Sequence, residues 1–146
     1  MNRAQTDRLA EAVQSGDRAA LARAITLVES SLDQDRHDGE LLLEQLLPAA
    51  GHSIRIGITG IPGAGKSTLI ERLGIQALNR GYKVAVLTVD PSSKKRGGSI
   101  LGDKTRMTLL AGEPQAFLRP SPAGATRRGI AARTRECVYL CEAAGF

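Results

Sequence analysis

Apolar side chains recur at helical spacing along the first third of the chain. Between Arg18 and Ser30 they occupy positions i, i+3, i+4 and i+7, which are Leu21, Ala24, Ile25 and Val28. Asp17 precedes this stretch and has the residue type and position of a helix cap. Residues 4–14 show weaker spacing of the same kind. The pattern therefore predicts two helices, the second with an apolar stripe that must pack against other elements.

A third helix is predicted where leucine recurs between residues 41 and 47. Pro48 should end it, because a proline within a helix removes a backbone hydrogen bond. The polar stretch 31–39 before it predicts a loop. We interpret residues 1–53 as a helical extension that supports the rest of the chain, in preference to a partner-binding device.

The pattern changes after residue 53. Residues 54–59 read as a short buried strand, and residues 83–89 form a near-continuous apolar run. A helical pattern running to about Asn79 separates them, so the sequence predicts a strand–helix–strand unit with a right-handed crossover. Ligands of such folds bind at the carboxyl ends of the strands. A short third strand at 116–119 and a last helix at about 130–144 complete the predicted α/β fold.

The segment between the first strand and its helix is Gly60-Ile61-Pro62-Gly63-Ala64-Gly65-Lys66-Ser67. It matches the phosphate-binding pattern G-x-x-x-x-G-K-[ST] at every defined position. Glycines let successive N–H groups curl inward, and a helix N-terminus adds a positive field. We assign phosphate binding to Gly60, Gly63, Ala64, Gly65, Lys66, Ser67 and Thr68. The simpler alternative is a glycine-rich turn that caps a helix.

Two side chains of this loop carry the predicted chemistry. Lys66 can reach the β- and γ-phosphates of a nucleotide, and the Ser67 hydroxyl can coordinate Mg²⁺. Asp90 follows the second strand, where an acid can hold a magnesium-bound water or orient a nucleophile. Because Asp-Pro-Ser also starts turns, both interpretations of Asp90 stay open. Asp103 is a plausible cap for a short helix.

The charge distribution supports a boundary near residue 53. The net charge of +5 divides into −4 for residues 1–53 and +9 for residues 54–146. Basic character suits phosphate ligands, acidic partners or nucleic acid. Aromatic residues make up only 3% of the chain, so few side chains can stack on nucleic-acid bases. We therefore expect no nucleic-acid partner.

Composition limits the classes of protein to which this chain can belong. With 42% hydrophobic and 24% charged residues, the chain has the composition of a globular domain. It contains neither a run of 18 apolar residues nor a signal-peptide pattern, so we expect a cytoplasmic location and no membrane partner. Cys137 and Cys141 lie one helical turn apart and could share a metal, but no histidine or acidic cluster accompanies them. We interpret them as two small buried apolar residues.

Several stretches together resemble the MeaB/ArgK family. Its members are metallochaperone-type P-loop GTPases that assist cobalamin-dependent methylmalonyl-CoA mutase, and older names call them lysine/arginine/ornithine transport ATPases. The resemblance covers nearly the whole chain. The stretches that carry it are residues 21–30, 57–68, Val89-Asp90-Pro91-Ser92-Ser93, Gly97-Gly98-Ser99-Ile100-Leu101-Gly102-Asp103-Lys104-Thr105-Arg106-Met107 and Arg119-Pro120-Ser121-Pro122.

The resemblance implies a three-layer P-loop NTPase fold and roles for individual residues. Lys66 would bind phosphates, and Ser67, Asp90 and Asp103 would belong to the magnesium and switch apparatus, with Lys66 and Asp90 as catalytic residues. GTP would be the substrate and Mg²⁺ the cofactor. The implied partners are GTP or GDP, methylmalonyl-CoA mutase or a related cobalamin-dependent mutase, and a second copy in a homodimer. The chain departs from the family pattern at Lys94-Lys95-Arg96.

We expect the chain to be the N-terminal part of a longer protein, with residues 54–146 as an incomplete GTPase domain. It ends before the family's later switch motif and before the motif that reads guanine. The alternatives are a P-loop kinase or ATPase, and a nucleotide-binding fragment without turnover. Weak polyphosphate binding without base preference is the activity expected of these 146 residues.

Overall fold

The computed structural model describes residues 3–90, 107–122 and 133–146, and it divides the chain into two compact units. The first unit comprises residues 1–53 and 132–146, and the second comprises residues 54–131. In chain order the elements are α1 (Arg3–Gln14), α2 (Arg18–Glu29), α3 (Asp33–Leu46), a 3₁₀ turn (Leu47–Ala49), α4 (Lys66–Asn79), β1 (Val84–Asp90), α5 (Thr108–Gly112), β2 (Ala116–Pro122) and α6 (Thr134–Ala143).

The first unit is built from helices that bury a shared apolar core. The predicted stripe of α2 is fully inside, since Leu21, Ala24 and Ile25 have no exposed surface and Val28 is 3% exposed. Asp17 caps α2 as predicted, because its Oδ1 accepts hydrogen bonds from the N–H groups of Ala19 and Ala20 at 2.7 and 3.0 Å.

The loop predicted at residues 31–39 is wrong, because α3 already begins at Asp33. Asp33 and Asp35 lie in its first turn, where carboxylates favour the helix dipole. Gly39 lies against the backbone of α2, and a Cβ added there would come within 3.3 Å of the Val28 Cα. Residues 33–39 are therefore helical although they are polar in composition, and Gly39 permits close packing against α2.

Helix α6 belongs to the first unit. Residues 132–146, which the sequence pattern assigns to the nucleotide-binding portion, lie with residues 1–53 in one compact unit. The reason is apolar burial, since Cys137, Leu140 and Cys141 are all at most 4% exposed and α6 contacts α1, α2 and α3.

The second unit contains a parallel pair of strands. Strands β1 and β2 pair in register from Val84 opposite Ala116 to Asp90 opposite Pro122. The predicted strand at 83–89 is confirmed. The strand predicted at 116–119 continues through Pro120. Proline is tolerated in an edge strand, because its missing N–H removes only one possible backbone hydrogen bond.

A small core holds the second unit together. Val86, Met107, Leu110 and Ala116 form its buried centre. Ile70, Ile75 and Leu78 of α4 pack against this centre with Val84 and Leu118 of the strands. Helix α4 therefore packs on the sheet that β1 and β2 form.

The strand predicted at residues 54–59 is wrong. The structure shows no regular element there, and Ile54 and Ile56 are 87% and 65% exposed. A strand needs a neighbour to receive its backbone hydrogen bonds, and no strand of the described residues pairs with this segment. The apolar pattern is that of a strand, but among the described residues no ladder pairs with it. The predicted strand–helix–strand unit with its right-handed crossover is therefore not formed there.

None of the helices in the described part of the chain combines the length and apolar character needed to cross a bilayer.

Candidate functional site

The loop before α4 has a backbone that glycine makes possible. Gly60, Gly63 and Gly65 have φ angles of +155°, +83° and +83°, a region that other residues rarely adopt. Between them the Ala64 N–H donates to the Ile61 carbonyl at 3.3 Å and closes a turn. The glycines predicted to curl the loop therefore occupy the conformations that such a loop requires.

Helix α4 begins at Lys66 with an open N-terminus. Gly65 is its N-cap and has no side chain to occupy the first N–H groups, and no acidic residue lies in the first turn. The first hydrogen bond of the helix joins the Leu69 N–H to the Gly65 carbonyl at 3.0 Å. The N–H groups of Lys66, Ser67 and Thr68 precede this bond and have no acceptor within the helix. Backbone donors without a side-chain cap and the positive end of a 14-residue helix are features that favour an anion.

The Lys66 ammonium lies over the loop. Its Nζ donates to the carbonyls of Gly60 at 2.7 Å and Ile61 at 2.9 Å. A Cβ added at Gly60 would lie 3.6 Å from the Lys66 Cδ, so the glycine leaves room for the lysine stem. Phosphate oxygens are stronger acceptors for an ammonium than neutral carbonyls, and they can replace these bonds.

The loop is open to solvent on its outer side. Ala64 and Thr68 are exposed, whereas Lys66 and Ser67 are half-buried. The Ser67 hydroxyl thus lies in the first turn of α4 beside a cation and uncapped N–H groups. The N–H groups and the ammonium suit a phosphate, and the Ser67 hydroxyl oxygen suits Mg²⁺, because Mg²⁺ prefers oxygen ligands and commonly shares them with a nucleotide.

The predicted acidic partners of Ser67 are only partly described. Asp90 is the last residue of β1, as expected for a residue at a strand's carboxyl end, and its side chain is not described. Asp103 lies outside the described residues, as does Lys94-Lys95-Arg96. Within the described ranges no group of three or more histidine, cysteine or acidic side chains is placed to hold a metal. Asp90 and Asp103 therefore stay predictions.

The two cysteines are buried, as predicted. Cys137 is fully buried and Cys141 is 4% exposed. Burial, with a contribution from the charge of Glu142, raises the pKa of the Cys141 thiol to about 12. A thiol that stays protonated is a poor metal ligand, which supports a packing role.

Two residues of α4 that belong to no sequence motif contact helix α5. Glu71 Oε1 accepts a hydrogen bond from the Leu109 N–H at 2.9 Å, and Gly74 lies against the side chain of Leu110. Helical spacing is the signal that points to Glu71, because it lies four residues after Ser67 on the same face.

Comparison with known proteins identifies the family of this chain. The family described as "Methylmalonyl Co-A mutase-associated GTPase MeaB" matches residues 21–146. The chain belongs to the MeaB family. The resemblance inferred from the sequence is thus confirmed.

Several relatives of the chain are named as GTPases or probable GTPases. A probable GTPase of Mycobacterium tuberculosis (strain H37Rv) is 59% identical over 140 residues, which are 96% of this chain and 42% of the relative. The GTPase ArgK of Escherichia coli is 49% identical over 94% of this chain and 43% of that protein. The mitochondrial methylmalonic aciduria type A homolog of Mus musculus is 43% identical over 96% of this chain and 36% of that protein. The chain thus spans about two fifths of the length of the curated relatives it matches.

A solved structure shows the same fold. The crystal structure of a LAO/AO transport system kinase superposes with a TM-score of 0.79 and 39% sequence identity, covering all of this chain and 42% of the other. The chain therefore has the predicted P-loop fold, with a parallel sheet and helices.

Proposed function

We propose that this chain is the phosphate-binding portion of a Mg²⁺-dependent GTPase of the MeaB family. The observation that carries the proposal is the loop of residues 60–67, where three glycines with positive φ lead into an uncapped helix beside the Lys66 ammonium. The names of the relatives supply the nucleotide, since several are called GTPases. A cytoplasmic location belongs to the same proposal.

The chain's own residues divide the work on a triphosphate. The N–H groups of the loop and the first turn of α4 would hold the β-phosphate. Lys66 would exchange its carbonyl acceptors for β- and γ-phosphate oxygens, and would lower the cost of charge developing there. Ser67 would hold Mg²⁺ with Asp90 and Asp103, and Asp90 would orient the attacking water. Bound Mg²⁺ supplies charge neutralisation at the phosphates.

The biological partner follows from the family. Its description names an association with methylmalonyl-CoA mutase, and relatives are named as methylmalonic aciduria type A homologs. We therefore propose that the whole protein binds GTP and GDP, assists a cobalamin-dependent mutase such as methylmalonyl-CoA mutase, and forms a homodimer. Because the chain spans about two fifths of its relatives, these proposals concern the whole protein rather than the 146 residues alone.

A P-loop kinase is the second candidate, because the superposed crystal structure is that of a protein named as a kinase. The loop chemistry is common to both activities. A GTPase releases inorganic phosphate to water, whereas a kinase transfers the γ-phosphoryl group to another acceptor. Phosphate release measured in the whole protein, without and with candidate acceptors, separates the two.

The test of the site is the loss of one charge. Lys66→Ala should weaken binding of Mg-GTP to the 146-residue chain about 10- to 100-fold, since a hydrogen bond between charged groups contributes roughly 1.5–3 kcal/mol. Arg72→Ala is the matched control, because it removes a cation from an exposed position on the same helix. Isothermal titration calorimetry with GTP and ATP measures both variants.

Two outcomes decide the matter. Equal affinity of the Lys66→Ala and wild-type chains for both nucleotides would overturn the phosphate site. Weak binding of GTP and ATP with similar affinity is the result expected of these 146 residues, because guanine selectivity needs polar groups that pair with the base.

A further inference from the structure

One face of α4 joins the phosphate loop to a second, shorter helix. Ser67, Glu71, Gly74 and Ile75 follow each other at i, i+4, i+7 and i+8, so they lie along one side of α4. Glu71 and Gly74 contact α5, and Ile75 packs on the core that includes Leu110 of α5. The side of α4 that begins with Ser67 is thus the side on which α5 is docked.

Helix α5 depends on this contact for its position. It spans only Thr108–Gly112, and a helix of one turn is not stable by itself in water. Its N-cap, Met107, provides no side-chain hydrogen bond. Instead, the Glu71 carboxylate accepts the Leu109 N–H at 2.9 Å, from a residue 38 positions earlier in the chain. The negative charge at this N-terminus also favours the helix dipole.

A second contact holds α5 in the same place. Leu110 is fully buried, and a Cβ added to Gly74 would lie 2.7 Å from its Cδ2 and 2.9 Å from its Cδ1. The Gly74 backbone, which has no side chain, thus leaves room for the Leu110 side chain of α5. The hydrogen bond of Glu71 and the close approach at Gly74 are one turn apart, so together they determine both the orientation and the depth of α5 on α4.

We propose that Glu71 is a positioning residue that couples the nucleotide site to α5. The inference rests on the proposed function. A phosphate bound at Lys66 and Ser67 would add contacts to the first turn of α4, and Glu71 projects from the next turn of the same face. Order gained at one contact lowers the cost of order at the other, so binding of nucleotide and docking of α5 stabilise each other reciprocally.

Hydrogen exchange provides the direct readout. In the wild-type chain, saturating Mg-GTP should slow exchange of the Leu109 amide, which Glu71 binds. Glu71→Ala should abolish this slowing and weaken nucleotide binding about three- to tenfold, the equivalent of one ordinary hydrogen bond. Glu71→Gln keeps an acceptor oxygen without the charge, so it should restore most of both effects.

A control separates coupling from loss of stability. Leu78→Ala removes a side chain that packs on the same core near the end of α4, and it leaves the Glu71 carboxylate in place. It should lower stability while leaving the nucleotide-dependent slowing of Leu109 exchange intact. If Leu78→Ala abolishes that slowing as Glu71→Ala does, the role of Glu71 is structural only and the inference is overturned.

The outcomes distinguish the two proposals. Failure of the wild-type chain to bind any triphosphate sinks the proposed function. Binding that persists, with Leu109 exchange unchanged by nucleotide or with equal affinity in the Glu71→Ala chain, sinks the coupling alone.

Discussion

The two units differ in where they keep their apolar residues. In the first unit the helices bury a core in which Val13, Leu21 and Leu140 have no exposed surface, whereas Leu41 of α3 is 40% exposed. In the second unit the core is small, and several large apolar residues are exposed, namely Ile54, Ile56, Ile61, Leu69, Leu73 and Leu109. Of the largest fully buried side chains among the described residues, only Met107 and Leu110 belong to the second unit.

This difference shows which part of the fold depends on the pairing of strands that are distant in sequence. Helices satisfy their backbone groups internally, so α1, α2 and α3 need only each other and α6 to form a core. The second unit depends on a sheet, and the described sheet has two strands. Its phosphate loop is nevertheless formed, because glycine conformations and the start of α4 are local features.

The largest expected effect tests the first unit's core. Leu21→Ala should destabilise the helical unit by roughly 3–5 kcal/mol, because it leaves a cavity at a site with no exposed surface. Leu73→Ala makes the same change on α4, at a position 41% exposed, and should cost less than about 1 kcal/mol. Urea unfolding with hydrogen exchange of α2 and α4 amides reports each unit separately. Equal losses for the two variants would remove the contrast between the units.

A smaller effect tests the packing of α4 against α5. Gly74→Ala should destabilise the second unit by about 1–2 kcal/mol, since overpacking against the buried Leu110 outweighs the better helix propensity of alanine. Gly112→Ala is the matched control, because a Cβ there meets nothing within 4 Å. It should leave stability unchanged or raise it by up to about 1 kcal/mol. The midpoint of thermal unfolding measures both, and a stabilised Gly74→Ala chain would contradict the close packing.

The sequence predicted local features better than pairings. The α2 stripe, the Asp17 cap and the phosphate loop depend on a few neighbouring residues, and all three are present. The prediction of a strand at 54–59 was wrong, because an apolar pattern does not show whether a partner strand lies beside the segment. The loop at 31–39 failed because the close approach of Gly39 to α2 is a tertiary contact.

Of the site, the loop conformation was predictable, because the spacing of the motif already implies its turns. The binding roles of Lys66 and Ser67 stay predictions. Glu71 required the structure, because its partner Leu109 lies 38 residues away. The side chain of Asp90 and the whole of Asp103 stay predictions, and their roles come from the family rather than from contacts.

The smallest expected effect lies at the exposed segment before the phosphate loop. Ile56→Thr keeps a β-branched side chain but removes apolar surface from a position 65% exposed. It should change the free energy of unfolding by less than about 0.5 kcal/mol, because the Ile56 side chain buries little apolar surface in the folded chain. Ile25→Thr is the matched control at a fully buried site of α2, where an unpaired hydroxyl should cost roughly 1–3 kcal/mol in addition to lost packing. Urea unfolding measures both variants. A loss above about 1 kcal/mol for Ile56→Thr, of the size expected for a buried residue, would mean that residues 54–59 are buried in solution as the strand pattern predicts. The contrast between a filled helical core and an open sheet would then fail at the segment that leads into the phosphate loop.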